Sequence, residues 1–146
     1  MGNKNKVAVS ACLIGKNVKY DGKNNYNQAV MDYLEDKEVF PICPEVLGGL
    51  TIPRIPSEIK NGKVFNQEGL DVTKQFEDGA KKALQILLDN NISVVILKAK
   101  SPSCGYQEIY DGSFNHKVIS GNGIFTSLAL KHNIKVLTEF DFFNKK

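Results

Sequence analysis

The chain has 146 residues, 42% of them hydrophobic and 24% charged, with 19 lysines and arginines against 16 acidic residues. This composition predicts one globular domain over residues 1–146 and excludes collagen-like and disordered chains. The apolar runs are far shorter than the roughly 20 residues that span a bilayer, and no secretory signal is evident, so we expect a cytoplasmic protein with no membrane contact. The small, scattered positive charge gives no reason to expect a nucleic-acid partner.

Short β-branched segments alternate with longer amphipathic segments along the chain. Strands are predicted at four runs rich in valine, isoleucine and leucine: residues 6–10, 39–42, 93–98 and 135–138. Helices are predicted where apolar residues recur three or four apart: residues 27–36, 73–90 and 123–132. The longest helix is expected to begin with Thr73 as its cap. This alternation is typical of an α/β fold in which a parallel sheet is covered on both faces.

Residues 45–71 do not follow this alternation. The segment is dense in residues that interrupt regular structure, namely Gly48, Gly49, Pro53, Pro56, Gly62 and Gly69. We therefore expect an ordered loop that lies over the sheet. Loops of this length inside a compact domain are usually functional, although a plain surface excursion is the alternative.

Three cysteines are too few for a disulfide scaffold, because one thiol would always remain unpaired. Cys12 lies just after one predicted strand, Cys43 follows the end of another, and Cys104 lies a few residues past a third. If those strands are parallel neighbours, the thiols meet at the carboxyl edge of the sheet, where open α/β sheets bind ligands. The alternative is that all three are small buried apolar residues, which is the commonest fate of cysteine.

Three converging thiolates favour an iron–sulfur cluster over a zinc site. Structural zinc usually takes four protein ligands, and catalytic zinc usually includes histidine. The histidines here, His116 and His132, stand in less suggestive positions. Three cysteines suit a [4Fe-4S] cluster with one iron left open, and such an iron implies reactivity more than electron transfer.

Four polar residues near the cysteines are candidates for catalysis or substrate binding. Glu45 follows Cys43 by two residues and is a candidate general acid or base, the alternative being a solvated loop carboxylate. Ser101 and Ser103 are candidates for positioning substrate or water, unless their hydroxyls serve only the turn. Arg54 is the chain's one arginine and suits a carboxylate, a phosphate or a uracil-like carbonyl edge. A structural ion pair of Arg54 with Glu58 is the alternative.

Together these motifs resemble the 2-thiouracil desulfurase family, long known as a domain of unknown function. The resemblance covers residues 7–139 and depends on motifs that recur in order: Ser10-Ala11-Cys12-Leu13, Tyr20-Asp21-Gly22, Cys43-Pro44-Glu45 with Gly48-Gly49-Leu50, Pro53-Arg54-Ile55-Pro56, Asp71-Val72-Thr73, Ser101-Pro102-Ser103-Cys104-Gly105 and Tyr110-Asp111-Gly112. The SPSCG and CPE-x-x-GGL-x-x-PR-x-P segments are specific, whereas a YDG tripeptide alone is not.

The resemblance implies a Rossmann-like, three-layer α/β/α fold with a mostly parallel central sheet. It implies that Cys12, Cys43 and Cys104 ligate a [4Fe-4S] cluster whose open iron accepts the sulfur of a 2-thiouracil-like pyrimidine. Glu45 would then handle protons with Ser101 nearby, and the products would be uracil and sulfide. The choice among thiolated pyrimidines and the oligomeric state stay open. A non-catalytic cluster sensor or sulfur carrier is the second hypothesis, and nucleophilic catalysis by Cys104 is a weaker third.

Overall fold

Eight strands and four α-helices occur in residues 5–142, the part of the chain that this computed structural model describes. In chain order they are β1 (Lys6–Ser10), α1 (Gln28–Leu34), β2 (Glu38–Ile42), α2 (Pro44–Leu47), β3 (Ser57–Lys60), β4 (Lys63–Asn66), α3 (Thr73–Asp89), β5 (Val94–Leu97), β6 (Glu108–Tyr110), β7 (Val118–Ser120), α4 (Ile124–Lys131) and β8 (Lys135–Thr138). Short 3₁₀ helices, Ala11–Ile14 and Glu139–Asp141, follow β1 and β8.

The central sheet is built from the four predicted strands, in the order β2-β1-β5-β8, and every pairing in it is parallel. The two inner strands are apolar on both faces, since Ala8, Val9, Val95 and Ile96 are fully buried. Such continuous apolar strands are what a sheet covered on both sides requires. The predicted α/β fold with a mostly parallel sheet is confirmed.

Helices cover both faces of this sheet and give the predicted three-layer arrangement. On one face, α3 and α4 pack onto Ala8, Val95 and Leu97 through apolar side chains that include Leu87 and Phe125. On the other face, α1 packs against the remaining strand side chains, namely Val7, Val9 and Ile96. Burial of these side chains on both faces supplies the main favourable free energy of the fold.

The expectation of a loop over residues 45–71 is wrong in part. The segment contains most of α2 and an antiparallel hairpin of β3 and β4, which pack on α3 through Ile59, Val64 and Phe76. The tight turn between the strands has Asn61 and Gly62 at positive φ, as a two-residue hairpin loop requires. The dense glycines and prolines therefore mark the boundaries of short elements.

The expected cap of α3 is also wrong. Val72 is the N-cap, and the Thr73 hydroxyl instead accepts a hydrogen bond from the Val64 N–H at 2.9 Å. This bond ties the helix start to β4, a strand absent from the prediction. A second hairpin, β6 with β7, was not predicted either, because each strand has only three residues.

Two glycines allow α2 to lie with its backbone directly against α3. A Cβ atom at Gly79 would overlap the Pro44 carbonyl oxygen, and a Cβ atom at Gly48 would overlap the Gln75 carbonyl oxygen. Only hydrogen at both Cα atoms permits this approach. The contact fixes the position of α2, which begins immediately after Cys43 and carries Glu45.

Within residues 5–142, no helix is both long enough and apolar enough to cross a membrane.

Candidate functional site

The three cysteines follow three adjacent strands of the sheet. Cys12 lies in the 3₁₀ helix after β1, Cys43 is the N-cap of α2 directly after β2, and Cys104 lies in the turn that follows β5. All three line one cavity of about 520 Å³ at the carboxyl edge of the sheet. The sheet order places β2, β1 and β5 side by side, so the convergence follows directly from the topology.

Each thiol is free and lies in a largely buried environment. The Asn25 side-chain amide donates to Cys12 Sγ at 3.4 Å, and the Ser103 hydroxyl oxygen lies 3.4 Å from Cys104 Sγ. Burial raises the pKa of Cys12 and of Cys43, and it raises the pKa of Cys104 to about 12. Without metal these groups are neutral thiols, and metal binding must displace their protons.

The chemistry of these thiols can be compared with that of known metal centres. Among residues 5–142, no group of three or more His, Cys, Asp or Glu side chains is placed to hold a metal ion. A [4Fe-4S] cluster is larger than an ion, and its cysteine ligands bind separate irons, so the thiolates need only face a shared cavity. Three soft sulfur donors on one cavity therefore fit an iron–sulfur cluster.

A carboxylate, two hydroxyls and a guanidinium form a connected network on the wall of the same cavity. Glu45 Oε2 accepts from the Ser103 hydroxyl at 3.1 Å and from the Ser101 hydroxyl at 3.5 Å. Glu45 Oε1 accepts from Arg54 Nε at 3.1 Å. The structure thus brings together all four polar residues that the sequence singled out. The side chain of Glu45 is only 18% exposed, so it is not a solvated loop carboxylate.

Ser101 also organises the turn that carries Cys104. Its hydroxyl oxygen accepts from the backbone N–H groups of Ser103 at 3.1 Å and Cys104 at 3.0 Å. The carbonyl groups of this turn point the other way, and Pro102 O and Ser103 O accept N–H groups from the first turn of α4. Both sides of the turn are therefore held, and the position of the Cys104 sulfur is determined by backbone contacts.

Arg54 joins three separate segments around the site. Its side chain is only 9% exposed. Nη1 donates to Thr51 O at 3.1 Å, and Nη2 donates to Val18 O at 2.9 Å. The third bond is the one from Nε to Glu45. The ion pair of Arg54 therefore forms with Glu45 and not with Glu58. Glu58 is instead bonded to the backbone N–H groups of Gly112 and Phe114.

Further residues on the cavity wall were not identified as site residues from the sequence. Lys98 lies on the wall and pairs with the buried Glu139, its Nζ 3.0 Å from Oε2. Four side chains with aromatic rings also line the cavity: Tyr20, Tyr110, Phe114 and His116. The repeated YDG tripeptide was the available signal, since each copy places its tyrosine on this wall.

Comparison with known proteins identifies the family. A model of the 2-thiouracil desulfurase family matches residues 7–141 of the chain. The chain belongs to this family. The resemblance inferred from the sequence motifs is thereby confirmed, and it extends over nearly the whole chain.

Two relatives are similar over almost their full lengths. YbbK of Bacillus subtilis (strain 168) is 36% identical over an alignment of 143 positions, and the match covers 91% of this chain and 95% of YbbK. The solved structure of TudS, a [4Fe-4S]-dependent thiouracil desulfidase, is 41% identical and superposes with a TM-score of 0.89. That match covers 94% of this chain and 93% of TudS.

Proposed function

We propose that the protein is a [4Fe-4S]-dependent desulfurase that converts a 2-thiouracil-like pyrimidine and water into uracil and sulfide. The observation that carries the proposal is the meeting of three free cysteines and the Glu45 network on one cavity. Family membership and the similarity to TudS support it. We place the enzyme in the cytoplasm, where thiols stay reduced, as a single domain over residues 1–146.

Cys12, Cys43 and Cys104 would hold the cluster as thiolates. When bound there, the cluster supplies a Lewis-acidic iron that polarises the carbon–sulfur bond of the substrate. The protein contributes the position of each sulfur, through the start of α2, the 3₁₀ helix after β1 and the turn held by Ser101. Exchange of the thiocarbonyl sulfur for the oxygen of water leaves the oxidation state of the pyrimidine unchanged.

Glu45 would act as the base that takes a proton from the attacking water and returns it to the departing sulfur. Its Oε2 already bonds the hydroxyls of Ser103 and Ser101, which form a 3.1 Å contact with each other and provide a path for that proton. Arg54 holds the other oxygen, Oε1, and so keeps Oε2 directed toward the two serines. The proposed donors to the exocyclic carbonyl oxygen of the substrate are the second hydrogens on the Arg54 Nη atoms and the Ser103 hydroxyl, whose one hydrogen would turn from Glu45 to the substrate.

Substitution of Glu45 by glutamine tests this assignment. Protein loaded anaerobically with iron and sulfide should release sulfide and uracil from 2-thiouracil. Glu45→Gln should lower turnover by roughly 10²- to 10⁴-fold, the usual contribution of a general acid or base, while the iron content stays at the wild-type level. The matched control is Glu108→Gln, an exposed glutamate on β6 that does not line the cavity.

Two results would reject the proposal. Iron-loaded wild-type protein that leaves every thiolated pyrimidine intact is not a desulfurase, and it would suit a sensor or a sulfur carrier. Undiminished turnover in Glu45→Gln would remove the carboxylate from the mechanism.

A further inference from the structure

The part of the cavity wall that contains most of its aromatic rings comes from one segment. Three of the four side chains with aromatic rings on the wall belong to residues 110–116, which we call the aromatic turn: Tyr110, Phe114 and His116. Tyr110 ends β6, and the rings of Tyr110 and His116 meet edge to face with centroids 6.0 Å apart. The proposed desulfurase mechanism gives these rings no role.

The backbone of the aromatic turn adopts a conformation that its side chains disfavour. Phe114 and His116 both have φ of 60°, in the left-handed region that a bulky residue such as phenylalanine rarely enters. Residues in such conformations persist only where surrounding contacts hold them, and they concentrate at ligand sites. Contacts from another part of the chain must therefore hold the turn in this conformation.

A buried carboxylate supplies that support. Glu58, on β3, is only 8% exposed, and its Oε1 accepts the N–H groups of Gly112 at 3.0 Å and of Phe114 at 3.1 Å. These bonds hold Phe114 and the residue two positions before it in place. Gly112 lies so close to β3 that a Cβ atom there would stand 2.6 Å from Lys60 Cβ. The β3–β4 hairpin thus determines where the aromatic turn lies on the cavity wall.

We propose that the aromatic turn, with Phe114 as its main contact, is the surface on which the pyrimidine ring of the substrate stacks, and that Glu58 is the positioning residue that holds it. The inference deepens the proposed desulfurase function by naming how the ring is bound. A flat heteroaromatic ring presents a π-face that aromatic side chains bind with little dependence on its substituents. Rings on the wall orient the pyrimidine, while the proton chemistry belongs to Glu45.

Alanine at position 114 tests the stacking surface. A contact made equally in the ground state and the transition state raises KM and leaves kcat unchanged. Loss of one stacked ring should raise KM for 2-thiouracil by about 5- to 150-fold in Phe114→Ala. Phe114→Tyr should restore the wild-type value, and Phe140→Ala is the control, because Phe140 is exposed and does not line the cavity. A lower kcat with unchanged KM would overturn the proposal.

Binding of uracil separates this inference from the desulfurase proposal. Uracil lacks the sulfur, so its dissociation constant on iron-loaded protein is independent of turnover. Weaker uracil binding in Phe114→Ala supports the stacking surface even if no thiolated pyrimidine is turned over. Unchanged uracil affinity in Phe114→Ala, or no uracil binding by the wild-type protein, refutes the stacking surface even if the enzyme is active.

Glu58→Gln tests the positioning role. An amide bonds the N–H groups of Gly112 and Phe114 less strongly than a carboxylate does, so the turn should loosen. We expect a higher KM and a weaker affinity for uracil, with kcat and iron content unchanged. A lower melting temperature with an unaltered KM would show that Glu58 serves only the fold, and would overturn its assignment.

Discussion

Gly79→Ala gives a prediction in which helix propensity and the packing of this fold oppose each other. In an exposed helix interior, this change stabilises a protein by about 1 kcal/mol, because glycine is the poorer helix former. Here the added Cβ atom would overlap the Pro44 carbonyl oxygen at the start of α2. The clashing atom is backbone, so no side-chain rotation relieves it, and α2 must move away from α3.

The packing cost decides the sign of the effect. Overpacking of a well-filled contact costs about 1 to 3 kcal/mol, and a backbone clash belongs at the upper end of that range. An estimated cost of about 3 kcal/mol, less about 1 kcal/mol from helix propensity, leaves a net destabilisation of about 2 kcal/mol. In a chain of this size that corresponds to a melting temperature roughly 4–8 °C lower.

Thermal and urea unfolding of the metal-free protein measures this effect. Lys82→Ala, at an exposed position on the same helix, is the control for an alanine substitution that meets no packing clash. Because α2 carries Glu45 and begins after Cys43, the Gly79→Ala variant should also retain less iron and turn over more slowly than the control. A melting temperature of Gly79→Ala equal to or above the wild-type value would refute the packing argument.

Two further predictions concern the protonation of Cys104 and the orientation of Glu45 by Arg54. Burial raises the pKa of the folded Cys104 thiol to about 12 from 9.0, so this thiol favours folding below pH 9 and loses that contribution as the pH rises toward 12. Between pH 8 and pH 10 the metal-free protein should therefore lose about 1.4 kcal/mol more of its unfolding free energy than Cys104→Ala loses; parallel curves would contradict it. Arg54→Lys should lower kcat about 10-fold or more at full iron content. The ammonium of lysine cannot replace the planar guanidinium, which bonds Glu45 and Val18 O at the same time and so aligns the carboxylate. Steady-state kinetics would disprove this if kcat stayed unchanged.

The sheet and the meeting of the cysteines were predictable because they depend on local patterns and one topological rule. The four core strands are short β-branched runs, and their observed bounds differ by at most one residue from the predicted ones. Cysteines that follow parallel neighbours must approach one another at the carboxyl edge. Cys12, Cys43 and Cys104 therefore line one cavity, as their places after three separate strands indicate.

The elements that were missed depend on contacts between segments distant in the sequence. The β3–β4 hairpin buries Val64 against α3, and nothing within residues 45–71 alone specifies that packing. The left-handed Phe114 is held by Glu58, which lies 56 residues earlier. Likewise, Arg54 pairs with Glu45, nine residues away across a turn, because Thr51 O and Val18 O fix its orientation. Local propensity carries no information about such partners.

The β3–β4 and β6–β7 hairpins also have a consequence for how substrate specificity can change within this fold. The cysteines and Glu45 lie on segments that follow strands of the central sheet, whereas the aromatic turn and Glu58 belong to hairpins outside that sheet. Loop and hairpin segments tolerate exchange better than the strands of a buried sheet. Transplanting residues 57–66 together with 108–120 from a relative should therefore change which thiolated ring is accepted while leaving the sulfur ligands in place.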